Sequence, residues 1–553
     1  MRVAKQTLQE TLNSANQYII PVFQRYYSWE RPSWQQLWED ITELQEPDDQ
    51  GARHFMGTLV FVAEPHATYS VPAYQVVDGQ QRLLTLSLLL CAIRDVAISH
   101  GFDDLADEIT QTFLVHKFKK GREHYRVYPR QRDRDQYLTA LHGNTILEVD
   151  GKINQAITFF TGTVQGVQGH DTEAGLRAFF DTLQSGLEFV HIILEGENPY
   201  QIFKSLNSTG VDLGEGDLIR NFVFMHVPIA EQDGFDDQRW KPLEAHFENA
   251  SGQLDGKTLS AFFRDFLMRR GRYIGPASTF AHFEKRYTTE SLQPHALVDD
   301  LARHAGFYDV IRGRRPYGVD AVDDAFAQLR DLDSSTTYPL LLTLMDRVAP
   351  DGMAVTDLAH AVELLSSFIL RRFVCQESSR QYGRWFVSSC PLVGEDPLAS
   401  LRTYLIDKGF PDDDRFRADF VRFNRLYQSN YAAPILRALE RAYHHKEPSD
   451  LSSTQIEHIM PQTLTPTWQA DLGGDWQRVH NERLHTLGNL TLSAYNGEVS
   501  NKPFVEKRKT YETSNVVITR LVAQYPTWTE TQIIERAGTL SELATCIWVG
   551  PTT

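Results

Sequence analysis

The hydrophobic pattern of this 553-residue chain changes its period twice along the sequence. The N-terminal part mixes short β-rich runs with helix-like segments, whereas apolar residues from about 230 to 440 recur at the three- and four-residue steps typical of helices. A polar, proline-containing stretch at residues 444–453 then precedes a loop-rich end. The β-rich runs are residues 55–62, 74–77 and 189–194, and the helix-like segments among them are 32–44, 80–97 and 217–225.

These changes predict a predominantly helical α+β protein with three domains, each long enough to bury its own core. Residues 1–228 form a predicted α/β domain, residues 229–443 a helical middle domain, and residues 444–553 a small C-terminal domain. We find no fixed-period repeat that would indicate a solenoid.

The charge balance restricts where nucleic acid can bind. Lysine and arginine number 55 against 72 aspartate and glutamate residues, a net charge of −17. The whole molecule therefore repels DNA at long range, and any contact with DNA must be local.

Several features predict a cytoplasmic protein without a membrane anchor. The first residues lack an apolar signal segment, and the longest apolar stretch, residues 83–93, covers about half of a membrane span. The cysteines, Cys91, Cys375, Cys390 and Cys546, are scattered without a C-x-x-C pair. This spacing argues against both a zinc ribbon and a disulfide framework.

Residues 456–511 contain, in order, the residue types that a one-metal nuclease needs. Glu457 and His458 on a short strand would place a carboxylate metal ligand beside an imidazole base. Asn489, in a glycine-containing loop, is suited to hold the imidazole in the right tautomer. A following helix could supply a second protein ligand, either Asn496 or Asn501. The same helix carries a local cationic face for phosphates, formed by Lys502, Lys507, Arg508 and Lys509.

The ordered run of Glu457-His458, Leu-Gly-Asn-Leu and Asn…Lys resembles the HNH endonuclease superfamily, specifically the C-terminal nuclease domain of GmrSD-type modification-dependent restriction enzymes. The resemblance implies a ββα-metal fold in which His458 is the general base, Glu457 a metal ligand and Asn489 the residue that orients the base. Oxygen and amide ligands suit Mg²⁺ or Mn²⁺ better than zinc. His480 and His485 are further imidazoles nearby, and His485 is a secondary candidate.

A strand, a tight turn and a helix are predicted around Asp78 and Gly79. The turn precedes an almost wholly apolar helix, whose free N-terminal amides and positive dipole end suit a phosphate. Arg82 in the first turn adds a full positive charge. No Walker loop occurs in the chain. Other candidate nucleotide-binding residues are Gln24, Arg25, Gln80, Gln81 and Asn207.

These N-terminal segments resemble the N-terminal domain of the same GmrSD-type enzymes, which is related to the ParB/sulfiredoxin fold. The resemblance implies a module that binds and hydrolyses an NTP, with GTP, UTP, CTP and ATP all left open, around Asp78, Gln81 and Arg82. Nearby aromatic residues either pack in the core or line a pocket that stacks a base. They are Phe23, Tyr26, Tyr27, Trp29, Trp34 and Trp38.

The sequence thus predicts an NTP-regulated DNA endonuclease of antiphage defence that nicks or cleaves foreign double-stranded DNA, and a homo-oligomeric state is left open. The resemblance implies a link to DNA modification, either glucosylated hydroxymethylcytosine or phosphorothioate. Two alternatives stay open at this point. One is a ParB-like, nucleotide-dependent DNA-binding clamp with an inactive nuclease domain, and the other is an RNA-cleaving toxin.

Overall fold

The computed structural model divides the chain into two units by its internal contacts. Unit 1 comprises residues 1–260 and 283–298, and unit 2 comprises residues 261–282 and 299–553. Arg25 and Asn207, two predicted nucleotide-binding residues, lie outside the described residues, as does Phe23. The structure describes residues 2–551 apart from 22–23, 25, 46–52, 65–69, 130–132, 144–150, 195–213, 229–230, 350–351, 393, 395, 444–449 and 495.

Unit 1 contains one mixed six-stranded sheet. Its strands are β1 (Arg2–Thr7), β2 (Gln17–Ile20), β3 (His54–Ala63), β4 (Ala73–Asp78), β5 (Val127–Pro129) and β6 (Leu187–Leu194). The strand order is β1-β6-β3-β4-β2-β5, with the β1–β6 and β3–β4 pairs antiparallel and the other pairs parallel. The three predicted β-rich runs are confirmed as β3, β4 and β6. The hydrophobic pattern does not indicate β1, β2 or β5.

Helices cover this sheet and complete unit 1. They are α1 (Leu8–Leu12), α2 (Arg31–Glu43), α3 (Gln80–Ser99), α4 (Asp103–Ile109), α5 (Asp133–Leu141), α6 (Lys152–Gln165), α7 (Glu173–Gly186), α8 (Glu215–Met225), α9 (Gln232–Phe235) and α10 (Lys241–Ala245). Single π-helical turns follow α4 and α9, at Thr110–Leu114 and Asp236–Trp240. Three more helices contribute residues to both units: α11 (Gly256–Met268), α12 (Thr279–Thr289) and α13 (Pro294–Ile311).

Helix α3 forms the centre of the unit 1 core. It begins after Gly79, whose φ of 89° lies in the left-handed region and where a Cβ would lie 2.4 Å from Leu59 Cδ2, so that only glycine fits. From Leu83 to Ala97 every side chain except that of Asp95 is buried. The apolar stretch of the sequence is therefore a core helix. None of the described helices is long and apolar enough to cross a membrane.

Unit 2 continues with helices and ends in a small part that contains two strands. The helices are α14 (Asp320–Arg330), α15 (Tyr338–Arg347), α16 (Val355–Val374), α17 (Tyr382–Ser389), α18 (Pro397–Asp407), α19 (Asp413–Arg422) and α20 (Ala432–Arg441). The C-terminal part contains the antiparallel pair β7 (Gln455–His458) and β8 (Leu490–Ser493). It also contains α21 (Pro466–Leu472), α22 (Trp476–Arg483), α23 (Asn496–Val499), α24 (Phe504–Glu512), α25 (Val517–Arg520) and α26 (Glu530–Ile547). The predicted class, predominantly helical α+β, is confirmed.

Helix α20 is joined to the C-terminal part by buried hydrogen bonds. The carboxylate of Glu440 accepts hydrogen bonds from the backbone amides of Val517 at 2.8 Å and Ile518 at 2.9 Å, which lie at the start of α25. These free N-terminal amides need an acceptor, and a carboxylate also interacts favourably with the positive end of a helix. The predicted domain boundary at 443/444 therefore lies inside unit 2.

Candidate functional site

The two strands of the C-terminal part place Glu457 and His458 in different surroundings. Glu457 pairs with Thr491, and His458 with Leu490. Because successive side chains on a strand point to opposite faces, the carboxylate and the imidazole diverge. The prediction that they lie side by side is therefore wrong in its geometry, although both side chains are buried.

The Glu457 carboxylate faces α24. Its Oε1 accepts hydrogen bonds from Lys507 Nζ at 2.7 Å and from the Tyr511 hydroxyl at 3.2 Å, and Lys507 Nζ also donates to the His458 carbonyl at 2.8 Å. Burial raises the pKa of Glu457 and lowers the pKa of Lys507, so each group needs the other to keep its charge. Because the Lys507 side chain is fully buried, it does not lie on the predicted DNA-facing surface.

The His458 imidazole faces a second imidazole. Its Nε2 lies 3.1 Å from Nδ1 of His485, and its Nδ1 lies 3.4 Å from Nε2 of Gln462. Because an amide NH₂ group only donates, this contact favours the tautomer of neutral His458 in which Nδ1 is the acceptor and Nε2 carries the proton. The Nε2–H of His458 then donates to His485. The ring of Tyr427 stacks on His485 at 5.3 Å and meets His458 edge-on at 4.4 Å.

The surroundings keep the His458 imidazole neutral. Burial lowers the pKa of His458 to about 3, and positive charge on His485, Lys507 or His480 acts in the same direction. Burial also lowers the pKa of His485, with His480 as the second cause. A neutral imidazole retains a lone pair, which a general base needs.

Asn489 holds the backbone beside His458 rather than the imidazole. Its Oδ1 accepts hydrogen bonds from the Met460 amide at 2.7 Å and Trp528 Nε1 at 3.1 Å, and its Nδ2 donates to the carbonyls of Met460 at 2.9 Å and Leu484 at 3.0 Å. These four bonds use the whole hydrogen-bonding capacity of the amide. The prediction that Asn489 sets the tautomer is therefore wrong for direct contact, because His485 occupies that position.

The loop that carries Asn489 is itself fixed from α26. Arg536, which is buried, donates to the carbonyls of Leu487, Gly488, Leu490 and Ile518 at 2.8–3.2 Å. At Gly488 a Cβ would lie 2.0 Å from the Ile533 carbonyl oxygen, so no larger residue fits this loop.

The two carboxylate oxygens of Glu457 differ in their contacts. Oε2 of Glu457 accepts no hydrogen bond from the described residues, whereas Oε1 is fixed by two donors. Asn501 is exposed, and α23 begins at Asn496, whose side chain is not described. No group of three His, Cys, Asp or Glu suited to a metal occurs within the described residues.

The remaining predicted cationic residues differ in exposure. Lys502 and Lys509 are exposed, and Arg508 is half-buried. These three side chains are accessible to a phosphate, and their role in DNA binding stays a prediction.

The N-terminal corner brings most of its predicted residues together. Asp78 and Arg82 lie 3.9 Å apart, each with about a quarter of its side chain exposed, at 28% and 27%. Arg82 also donates to the Thr58 carbonyl. Within the part of the chain that the structure describes, no side chain forms a cap hydrogen bond at the N-terminus of α3, whose positive dipole end favours an anion.

The glutamines at this corner brace the backbone. Gln24 Nε2 donates to the carbonyls of Val76 and Val77, at 3.3 and 2.7 Å. Gln81 accepts from the Ser28 amide at 2.8 Å and donates to the Tyr26 carbonyl at 3.1 Å. Gln80 is buried. The contacts of Gln24 and Gln81 support the corner whether or not a nucleotide binds.

The aromatic residues near the corner divide between core and periphery. Tyr27 and Trp34 are buried and joined by a hydrogen bond from Trp34 Nε1 to the Tyr27 hydroxyl at 2.8 Å. Trp29 and Trp38 pack against the same core but are only partly buried. Tyr26 lies beneath the guanidinium of the buried Arg220, 5.8 Å from the ring centroid.

Comparison with known families covers both the site around His458 and the N-terminal corner around Asp78 and Arg82. Residues 8–224 match the N-terminal domain of the GmrSD restriction endonuclease, and residues 410–543 match the C-terminal domain of GmrSD restriction endonucleases. The chain belongs to the GmrSD family. It is therefore a restriction endonuclease of defence, with DNA as its substrate. No curated protein sequence matches the chain.

The family assignment places both candidate sites within matched segments. In this GmrSD enzyme the C-terminal match begins at residue 410 and includes Tyr427, which lies upstream of the predicted nuclease domain. Sequence reasoning missed Tyr427 and Tyr511 because they belong to no local pattern. It also missed Arg536, whose partners in the loop around Asn489 lie 46 to 49 residues away along the chain.

The buried ion pair gives a stability prediction. Lys507→Met leaves the Glu457 carboxylate buried without its cation and is expected to lower the free energy of unfolding by about 3–5 kcal/mol. The double variant Glu457→Gln/Lys507→Met removes both charges and should recover most of this loss. Differential scanning calorimetry of the two variants measures the difference. Equal stability of Lys507→Met and wild type would contradict the pairing.

Proposed function

We propose that this GmrSD enzyme hydrolyses phosphodiester bonds of double-stranded DNA at an HNH-type site centred on His458. One observation carries the proposal: a buried, neutral imidazole whose Nε2 is held by His485. Its Nδ1 has only the long contact with Gln462 among the described residues. A water molecule could take the place of the Gln462 amide and donate a hydrogen bond to the lone pair of His458 Nδ1.

In this proposal Nδ1 of His458 takes the proton from the attacking water. The hydrogen bond from Nε2–H of His458 to Nδ1 of His485 keeps the ring in the required tautomer. A DNA phosphate next to the ring brings negative charge, which favours the imidazolium and raises the pKa of His458 from its low value towards the working range. Tyr427 fixes the plane of His485 by stacking.

The proposed cofactor of the nuclease site is Mg²⁺ or Mn²⁺. Asn496 or Asn501 would contribute to holding the ion. The predicted ligand Glu457 is paired with Lys507 on the face of β7 opposite His458, so we do not expect it to share an ion with a phosphate at the imidazole. When bound, the ion would polarise the scissile phosphate and stabilise the leaving oxygen.

We further propose that an NTP regulates cleavage through the corner formed by Asp78, Arg82 and the N-terminus of α3. The positive dipole end of α3 and the partly exposed Arg82 guanidinium support this proposal, since both attract phosphate. The same N-terminal module would link cleavage to a DNA modification, either glucosylated hydroxymethylcytosine or phosphorothioate.

The proposed base is tested by cleavage of modified and unmodified plasmids with Mg²⁺, with Mn²⁺ and with EDTA. His458→Ala should lower the cleavage rate by about 10²–10⁴-fold, because a general base contributes that much. EDTA should stop cleavage by the wild type. His360→Ala, which removes an exposed histidine of the same unit, is the matched control. Undiminished cleavage by His458→Ala would contradict the proposal.

His485 has a conservative test of its own. His485→Asn keeps an acceptor close to the position of Nδ1, whereas His485→Ala removes it. We expect His485→Ala to lower kcat by about tenfold or more with little change in KM, and His485→Asn to recover part of the loss. If His485→Ala and His485→Asn both cleaved at the wild-type rate, His485 would not position the base.

The nucleotide proposal predicts a specific loss of affinity. Arg82→Ala removes a charge-assisted contact to phosphate, worth about 1.5–3 kcal/mol, so the Kd for the NTP should rise by about 10- to 150-fold. Isothermal titration calorimetry with each NTP measures this change. Arg53→Ala, which removes an exposed, ion-paired arginine of unit 1, is the control. A lower melting temperature with unchanged NTP affinity would mean that Arg82 only stabilises the fold.

A further inference from the structure

A surface loop of unit 1 presents an exposed aromatic ring between lysines. The loop lies between Val115 and Tyr125, which form an isolated antiparallel bridge. The His116 amide donates to the His124 carbonyl at 2.7 Å, and the Lys119 amide donates back to the His116 carbonyl at 3.0 Å, which closes a tight turn. His124 Nδ1 also lies 3.1 Å from the Lys119 carbonyl. The loop therefore has a defined backbone.

Phe118 stands at the tip of this turn. Its side chain is 90% exposed, the largest exposed fraction among the large hydrophobic side chains of the described residues. A single exposed hydrophobic residue is ordinary on a protein surface. A ring this exposed, however, contributes nothing to the core, so its identity is not explained by folding.

The charge around Phe118 is opposite to that of the chain as a whole. Residues 116–128 contain Lys117, Lys119, Lys120, Arg122 and Arg126 against the single acid Glu123, in a chain with a net charge of −17. Lys119 lies 3.7 Å from Glu123, and Arg122 lies 3.5 Å from Glu64. Lys117 and Lys120 are exposed, and neither forms an ion pair with a described residue. Two uncompensated ammonium groups therefore flank the ring.

We propose that the loop of residues 116–124 is a DNA contact in which Phe118 stacks on an unpaired base while Lys117 and Lys120 contact the adjacent phosphates. Aromatic rings between cations are the usual means of holding single-stranded segments without sequence preference. Such a segment is exposed wherever a duplex is frayed, gapped or opened. The proposal rests on the assignment of the chain as a DNA-acting restriction enzyme.

The test measures binding of a fluorescein-labelled oligonucleotide of about 20 bases, and of its duplex, by fluorescence anisotropy in EDTA. Phe118→Ala should weaken single-strand binding by about 5- to 150-fold, the value of one base–aromatic stack, and duplex binding by less. Phe118→Trp keeps a ring and should bind within about twofold of wild type. Phe55→Ala, which removes another exposed phenylalanine of unit 1, should have no effect.

The lysines have a separate readout. Lys117→Gln/Lys120→Gln removes two phosphate contacts, so the slope of log affinity against log salt concentration for the single strand should become shallower by about 1.4. The control Lys257→Gln/Lys285→Gln removes two exposed lysines elsewhere in unit 1 and should leave the slope unchanged.

Several results would overturn the proposal. One is an unchanged affinity of Phe118→Ala for the single strand. Another is that Phe118→Ala changes the sedimentation coefficient or the binding to anionic phospholipid vesicles while its affinity for DNA equals that of wild type. The ring would then serve a protein or membrane contact. Because binding is measured without cleavage, failure of the general-base proposal at His458 leaves this result interpretable.

Discussion

The hydrogen bonds of the Asn489 side chain are the constraint on which the nuclease site depends. One amide bonds both the N–H and the carbonyl of Met460 and also contacts the Leu484 carbonyl and the Trp528 indole. Because its partners come from three separate segments, the amide fixes the end of β7 against the loop that leads into β8. His458 lies two residues before Met460, so its backbone position follows from this clamp.

With the backbone fixed, strand geometry separates two kinds of chemistry. One face of β7 presents Glu457 to a buried lysine and tyrosine, where charges are paired and desolvated. The other face presents His458 to a second imidazole, where the ring stays neutral and one nitrogen keeps its lone pair. The pair at Glu457 holds α24 against the strand, since Lys507 also bonds the His458 carbonyl. The Glu457 face therefore also fixes the backbone of His458, whose side chain points the other way.

The sequence predicts local features here better than long-range ones. Strands β3, β4 and β6 and helices α2, α3 and α8 follow from hydrophobic period. Strands β2 and β5 have only four and three residues, and β1 is mostly exposed, so these strands rely on their neighbours for pairing. His458 and Asn489 are recognisable because their motifs are contiguous. The contact of Tyr427 with two histidines joins residues 31 and 58 positions apart, and no local pattern encodes such a distance. The sequence predicts a surface position for Lys507, because it lies among other basic residues. Only the tertiary structure shows that Lys507 is buried next to Glu457.

The most direct test of this account combines hydrogen–deuterium exchange with plasmid cleavage in the variant Asn489→Ala. The account predicts faster exchange in the peptide that contains Ile459 and Met460, unchanged exchange in the core of unit 1, and loss of cleavage. Loss of cleavage with unchanged exchange at Ile459 and Met460 would contradict it, because Asn489 would then act on the substrate directly rather than through the backbone.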